Sequence, residues 1–246
     1  MRYLILSDIH ANWEALEAVL RHAAGAYEQI VCCGDLVGYG ADPNRVVEWA
    51  RAELAAIVRG NHDKASVGLT DLEWFNPSAR DAALWTEAAL TPENLHYLRG
   101  LPQGPLSAGG FQILHGSPLD EDEYVVTAFS AGHLVPYLES AVSFFGHTHL
   151  QGGFLCRRHG VRPLAGPLDG EDRLVTALEP ETVYLVNPGS VGQPRDGDPR
   201  AAYAIYDPDA GTVEYRRAAY SVGVAQAKIR RAGLPDLLAD RLALGV

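Results

Sequence analysis

The chain reads as an α/β protein in which a parallel or mixed β-sheet carries helices, and three observations predict this. Short apolar runs recur along the sequence, and each ends abruptly in Asp, His, Asn or Gly. Amphipathic helical patterns lie between the early runs. After about residue 150 the texture changes to short strands separated by turns. Apolar runs without polar alternation suit strands buried on both faces. Their alternation with helices implies strand–helix–strand units on a common sheet.

The elements follow in order. Residues 2–6 (RYLIL) form a strand leading into Ser7-Asp8-Ile9-His10. Residues 12–24 place Trp13, Leu16, Val19, Leu20 and Ala23 on one helical face, with Asn12 as N-cap. Residues 29–33 (QIVCC) run into Gly34-Asp35. Asp42-Pro43 predicts a cap followed by a proline in the first helical position, opening a helix to about residue 52. Residues 55–58 lead into Arg59-Gly60-Asn61-His62-Asp63, residues 111–114 into His115-Gly116, and residues 141–145 into Gly146-His147-Thr148-His149. Residues 183–186 end in Asn187-Pro188-Gly189-Ser190.

Between these runs, residues 64–100 break the rhythm. Pro77 to Leu90 and Thr91-Pro92 to Leu98 read as two helices, with Trp74, Phe75 and Trp85 supplying apolar bulk. A helical insertion at about 64–100 beside the polar strand tips is expected, within one domain spanning 1–246. An acidic loop, Asp120 to Glu123, precedes a helix from about Ser130. Residues 201–206 and 212–216 flank Asp207-Pro208-Asp209-Ala210-Gly211 and predict a hairpin. The tail is helical from about Val222 and breaks at Gly233-Leu234-Pro235.

Composition narrows the function classes. Hydrophobic residues make up 47% and charged residues 21%, as in a water-soluble globular protein. The net charge of −11 comes without a basic stripe, so tight non-specific nucleic-acid binding is not expected. Cys32, Cys33 and Cys156 are an odd count without framework or zinc-finger spacing. They read as small buried hydrophobes in a reducing cytoplasm. The apolar run at the N-terminus is too short for a membrane span. A homo-oligomer is compatible with this composition.

The polar tips carry the chemistry. In open α/β sheets, ligands bind beyond the carboxyl ends of the strands. Asp8, His10, Asp35, Asn61, His62, His115, His147 and His149 all fall there. A single histidine at such a tip is usually a satisfied core or loop residue. Five at equivalent tips, joined by two aspartates and an asparagine, form a pattern. Imidazole, carboxylate and amide oxygen without thiolate suit Mn, Fe, Co, Ni or Zn better than Ca. Seven ligands (Asp8, His10, Asp35, Asn61, His115, His147 and His149) exceed what one ion with an open position needs, and suffice for two if a carboxylate bridges.

In order and context, SDIHAN, GDLVGYG, GNHD at 60–63, His115-Gly116 and GHTH at 146–149 resemble the motifs of the calcineurin-like metallophosphoesterases. The general look is that of the small bacterial and archaeal members described as phosphodiesterases. The resemblance implies two packed mixed β-sheets flanked by helices, with a dinuclear metal site at the strand ends. It implies that Asp8, His10, Asp35 and His149 hold one ion, that Asp35, Asn61, His115 and His147 hold the other, and that Asp35 bridges. It makes His62 the non-ligand histidine that acts on the leaving-group oxygen or steadies the transition state. The implied activity is hydrolysis of a small phosphoester, with a phosphodiester favoured, by in-line attack of a metal-bridging hydroxide. The alternatives are a phosphomonoesterase, or a metal-free scaffold on the same fold, whose members lose ligands that are intact here.

Two positions depart from better-known branches. Tyr39 stands where protein Ser/Thr phosphatases and bacterial dinucleoside tetraphosphatases place a phosphate-binding arginine, and Gly38 where the former have an aspartate that orients the catalytic histidine. Both changes point away from those activities. They leave open what orients His62, with Asp63 the neighbour in sequence. Arg59, Arg195 and Arg200 can each be read as phosphate-binding or as solvated surface residues, and no substrate-binding residue is assigned.

Overall fold

A computed structural model describes residues 1–168 and 170–246. The first half alternates strands and helices: β1 (Tyr3–Leu6), α1 (Trp13–His22), β2 (Gln29–Cys32), α2 (Pro43–Glu53), β3 (Leu54–Ile57) and α3 (Asn61–Ala65). Next come α4 (Pro77–Ala89), α5 (Pro92–Arg99), β4 (Leu106–Ser107), β5 (Gln112–Ile113), α6 (Ala128–Leu134) and β6 (Val142–Phe144). The second half is strand-rich: β7 (Gly152–Arg157), β8 (Gly160–Ala165), β9 (Arg173–Ala177), β10 (Val183–Asn187), β11 (Ala201–Asp207) and β12 (Thr212–Ala218), then α7 (Val222–Arg231) and α8 (Asp236–Asp240).

The strands form two mixed six-stranded sheets, ordered β3-β2-β1-β11-β12-β9 and β4-β5-β6-β10-β7-β8. They pack face to face. Because successive side chains in a strand point to opposite faces, β1 sends Tyr3 and Ile5 between the sheets and Leu4 and Leu6 toward the helices. Cys32 and Cys33 divide in the same way, and all three cysteines are free and buried. Phe111, Phe144, Tyr206 and Tyr215 fill the layer between the sheets. α1, α2 and α5 cover the outer face of the first sheet, and α6 covers that of the second. The layers are therefore helix, sheet, sheet, helix.

Within each sheet the site-bearing strands are parallel: β1, β2 and β3 in one, β5, β6 and β10 in the other. Parallel strands present all their carboxyl ends along one edge. That gathers three polar tips at one edge of each sheet, and the contact of His147 N with the Asp8 carboxylate brings the two edges together.

Most predicted caps are in place. The Asn12 side chain accepts from Ala15 N and that of Thr91 from Asn94 N. Asp42 differs. Its carboxylate makes no cap bond and pairs instead with Lys228 of α7 at 2.7 Å, tying the C-terminal helices to the first sheet's helical layer. α6 begins at Ala128 rather than Ser130, because Thr127 accepts from Ser130 N at 3.0 Å and serves as its cap. Among the described residues, no helix is long and apolar enough to cross a membrane.

Candidate metal centre

The tips of β1 and β2 are stitched by their own backbone. Asp8 N donates to Gly34 O, His10 N to Asp35 O and Ala11 N to Leu36 O, at 3.0, 3.0 and 2.8 Å. The second sheet joins through Asp8, whose two carboxylate oxygens each accept from His147 N at 3.2 Å. To turn the chain so sharply, Asp8, His10, Asp35, His147 and His149 adopt left-handed backbone, with φ between 49° and 65°. Such a conformation costs a non-glycine residue about 1–2 kcal/mol. Strain of this kind persists where surrounding contacts over-determine it, and it clusters at functional sites.

Two buried groups of donors result. One comprises Asp8, His10, Asp35 and His149, the other Asp35, His115 and His147, with all ligand atoms in each group within 4.8 Å of one another. Asn61 adjoins the second group, its Oδ1 lying 3.2 Å from His115 Nε2. The centre of the arrangement is Asp35 Oδ2, 3.6 Å from His10 Nε2 and 3.4 Å from His115 Nε2. Although buried, this oxygen has no hydrogen-bond partner among the described residues. In the first group the ring nitrogens His10 Nε2 and His149 Nε2 face each other at 3.1 Å. Two donors on one ion, each at about 2.1 Å, sit about 3.0–3.4 Å apart. These spacings and the partnerless carboxylate oxygen fit a pair of divalent ions.

The remote ring nitrogens support the same reading. His10 Nδ1, His115 Nδ1 and His149 Nδ1 bond to the carbonyls of Val37, Cys33 and Gln193 at 3.0, 2.8 and 2.5 Å. In His147 the roles reverse, with Nε2 on Asp122 O at 3.0 Å. A carbonyl on one nitrogen holds the proton there and leaves the other free to ligate. Burial keeps most of these rings neutral. It pushes His147 down to about 3, with the His115 charge adding to the effect, and holds His10 and His149 well below the ordinary imidazole range. His115 goes the other way in the metal-free protein. Burial would lower it, but Asp35 beside it carries it up to about 10. Asp35 itself would be raised by burial, yet the surrounding His115 and His62 hold its carboxyl well below the usual range.

His62 sits between the metal-ligand candidates and the open cleft. Its backbone N donates to Asp35 Oδ1 at 2.8 Å. Its ring packs against Tyr39, His10 and Phe75, with centroids 4.3, 5.0 and 5.5 Å away. Burial, aided by the Arg195 charge and opposed by Asp35, pushes the imidazole down to about 4. No acid orients it. A Cβ on Gly38 would stand 2.8 Å from His62 Nδ1, and Gly38 has φ +88°, so glycine is what the ring's position allows there. Aromatic packing holds His62 where an aspartate would in another branch.

Asp63 has a different task. Its carboxylate accepts from Asp35 N, Val37 N and Gly60 N at 2.9, 3.2 and 3.0 Å, fastening the β2 and β3 tips together. Asp63→Ala leaves three buried donors unpaired. We expect it to lower unfolding free energy by on the order of 3 kcal/mol, read as a lower urea midpoint. An unchanged midpoint would refute this role.

Some supporting residues were not identified from the sequence as part of the site. Asn187 Nδ2 donates to Gly146 O and Thr148 Oγ1 at 3.1 and 3.0 Å, and Ser190 Oγ donates to Asp8 O at 2.8 Å. Their signal was the polar Asn187-Pro188-Gly189-Ser190 end of an apolar run. The cleft above His62 has a volume of about 300 Å³ and is lined by Tyr39, Asn61, Trp74, Phe75, Tyr124 and His147, among others. Of the three arginines considered from sequence, two are committed elsewhere. Arg59 pairs with Glu121 at 2.8 Å, and Lys64 joins them from α3 at 3.1 Å. Arg200 pairs with Asp198 at 2.6 Å and also with Asp172.

Comparison with known proteins agrees with this geometry. The sequence profile of the calcineurin-like phosphoesterase superfamily domain matches residues 1–211. An uncharacterized protein of Methanocaldococcus jannaschii is 36% identical, over 98% of this chain and 97% of its own length. The crystal structure of a metallophosphoesterase from Sphaerobacter thermophilus superposes with a TM-score of 0.88 at 42% identity, covering 100% of this chain and 99% of that one. A hypothetical protein from Pyrococcus horikoshii shares the fold, with a TM-score of 0.77 at 18% identity, covering 100% and 98%. The motifs that converge on Asp35 are thus those of a known lineage, and the chain belongs to the calcineurin-like phosphoesterase superfamily.

Proposed function

We propose that the protein hydrolyses small phosphoesters at a pair of divalent ions and that phosphodiesters are its preferred class. Asp8, His10, Asp35 and His149 are assigned to one ion, and Asp35, Asn61, His115 and His147 to the other. The observation that carries the reading is Asp35 Oδ2, buried between His10 Nε2 and His115 Nε2 with no hydrogen-bond partner among the described residues. The donor chemistry suits Mn, Fe, Co, Ni or Zn. Bound there, two such ions supply Lewis-acid activation of water and neutralisation of phosphoryl charge.

The chain's own groups do the rest. Carbonyls of Val37, Cys33 and Gln193 keep three imidazoles in the ligating tautomer. His62, neutral at pH 7 because burial lowers it, retains an N–H that can donate to charge developing on the leaving oxygen. The wall formed by Trp74, Phe75 and Tyr124 offers apolar, planar surface to a second ester arm, and its first two members come from the segment at about 64–100. Asp122 also lines the cleft, its carboxylate paired with Lys64 at 2.6 Å. A diester carries a second organic arm where a monoester has only a charged phosphoryl oxygen, which suits such an apolar wall. The acidic balance favours a small substrate over nucleic acid, and the buried free cysteines suit a reducing cytoplasm.

The test is a kinetic comparison using the metal-loaded protein, with two ions per chain confirmed by elemental analysis. Bis(p-nitrophenyl) phosphate is expected to exceed p-nitrophenyl phosphate in kcat/KM by about tenfold, roughly 1.4 kcal/mol. A monoester preference would reverse the substrate class. No bound ion and no turnover after adding Mn or Ni would end the enzymatic reading.

A further inference from the structure

We propose that Arg195 is the substrate-anion side chain of this site, its guanidinium binding a non-bridging oxygen of the phosphoryl group from the Tyr39 side. This rests on the phosphoesterase reading above and adds the residue that recognises the substrate's charge.

Arg195 is registered to the metal centre through its backbone, since Arg195 N donates to His149 O at 3.2 Å. The loop leading to it runs beneath the first group of donors: Gly192 N bonds Asp8 O at 2.9 Å, and Gln193 O takes the His149 ring proton. The guanidinium then reaches back over Tyr39. Its Nη2 lies 3.4 Å from Tyr39 Oη and 3.1 Å from Gln193 Oε1, and Cζ stands 5.9 Å from the Tyr39 ring centroid. That same ring packs on His10 at 4.6 Å and on His62 at 4.3 Å. Arg195 is therefore one aromatic ring away from both the donors and the cleft.

Its partners differ from those of three other arginines. Arg59, Arg200 and Arg217 each hold a carboxylate. Among the described residues Arg195 has no carboxylate within ion-pair distance, and its Nε is buried without any acceptor. A half-buried guanidinium served only by a phenol and an amide is under-compensated for the water it has lost. The planar fork of donors matches a phosphoryl oxygen pair, and the chain's excess of acids over bases makes the missing carboxylate the more telling. Tyr39 and Gln193 steady one amino group of the fork and leave the remainder for the ligand.

The experiment uses the full chain with both ions bound and compares wild type with Arg195→Gln and Arg195→Lys. Inorganic phosphate is titrated by calorimetry, and KM and kcat are measured with bis(p-nitrophenyl) phosphate. Arg195→Gln is expected to weaken phosphate binding and raise KM in parallel, by about tenfold to a hundredfold, as for loss of a charged hydrogen bond. kcat is expected to change by less than about threefold, because the contact exists in both ground and transition states. Arg195→Lys should recover part of the binding, with two ions and an unchanged thermal midpoint in both variants. Equal phosphate affinity in wild type and Arg195→Gln overturns the assignment, as does weaker binding fully matched by lost metal. A wild type that binds phosphate through Arg195 but cleaves neither ester refutes the function reading and leaves this one standing.

Discussion

Asp35→Asn is expected to lose both ions together and, with them, essentially all turnover. The substitution is nearly isosteric, and its amide oxygen can still accept from His62 N, as Asp35 Oδ1 does at 2.8 Å. What changes is the other oxygen. Oδ2, lying between His10 Nε2 and His115 Nε2, becomes an amide NH2, which has no lone pair for a metal. One substitution thus removes a donor from each group and a negative charge from between two cations. The assignment predicts metal content falling from two ions per chain to less than one. It also predicts a loss in kcat/KM of at least about 10³, the equivalent of the several kcal/mol that Lewis-acid stabilisation supplies. If Asp35→Asn kept one ion at full occupancy, Asp35 would belong to a single site and the bridging assignment would fail.

His62→Ala separates binding from chemistry. The ring belongs to neither donor group and lines the cleft, so both ions should remain while kcat falls by about 10²–10⁴, the usual range for a positioned acid or hydrogen-bond donor. The loss should be larger for an alkyl ester than for a p-nitrophenyl ester, because the poorer leaving group depends more on help at its oxygen. Full activity in this variant would remove His62 from the mechanism. Metal loss matching the rate loss would make it a structural residue that holds the Asp35 loop through its backbone N–H.

The two variants probe residues that local sequence marked equally well. Asp35 and His62 both stand at the end of an apolar strand run, and the period and length of those runs were enough to place them. The hairpin of β11 and β12 was equally legible, because a turn-forming pentapeptide between two apolar stretches is a local signal. Asp42 shows the limit. Its place before Pro43 predicted a cap, but the carboxylate goes to Lys228, 186 residues away, and nothing near Asp42 encodes that partner.

The same division runs through the site. The sequence by itself determined which residues gather. Parallel strands expose all their carboxyl ends at one edge of their sheet, so polar residues terminating the runs of each sheet gather there, and their donor chemistry limits the metals they can hold. Only the tertiary structure decided how they meet. The left-handed turns at Asp8, His10, Asp35, His147 and His149 are tolerated because carbonyls and amides from distant strands hold them. Asp63 ties backbone rather than orienting His62, since its oxygens face three N–H groups. Among the three arginines that looked alike in sequence, Arg59 is neutralised by Glu121, 62 residues away, and Arg200 by Asp198 and Asp172, while Arg195 is left beside the metal centre with no carboxylate of its own among the described residues. Which charge is spent and which is free depends on pairings across the whole fold, and no local pattern carries that information.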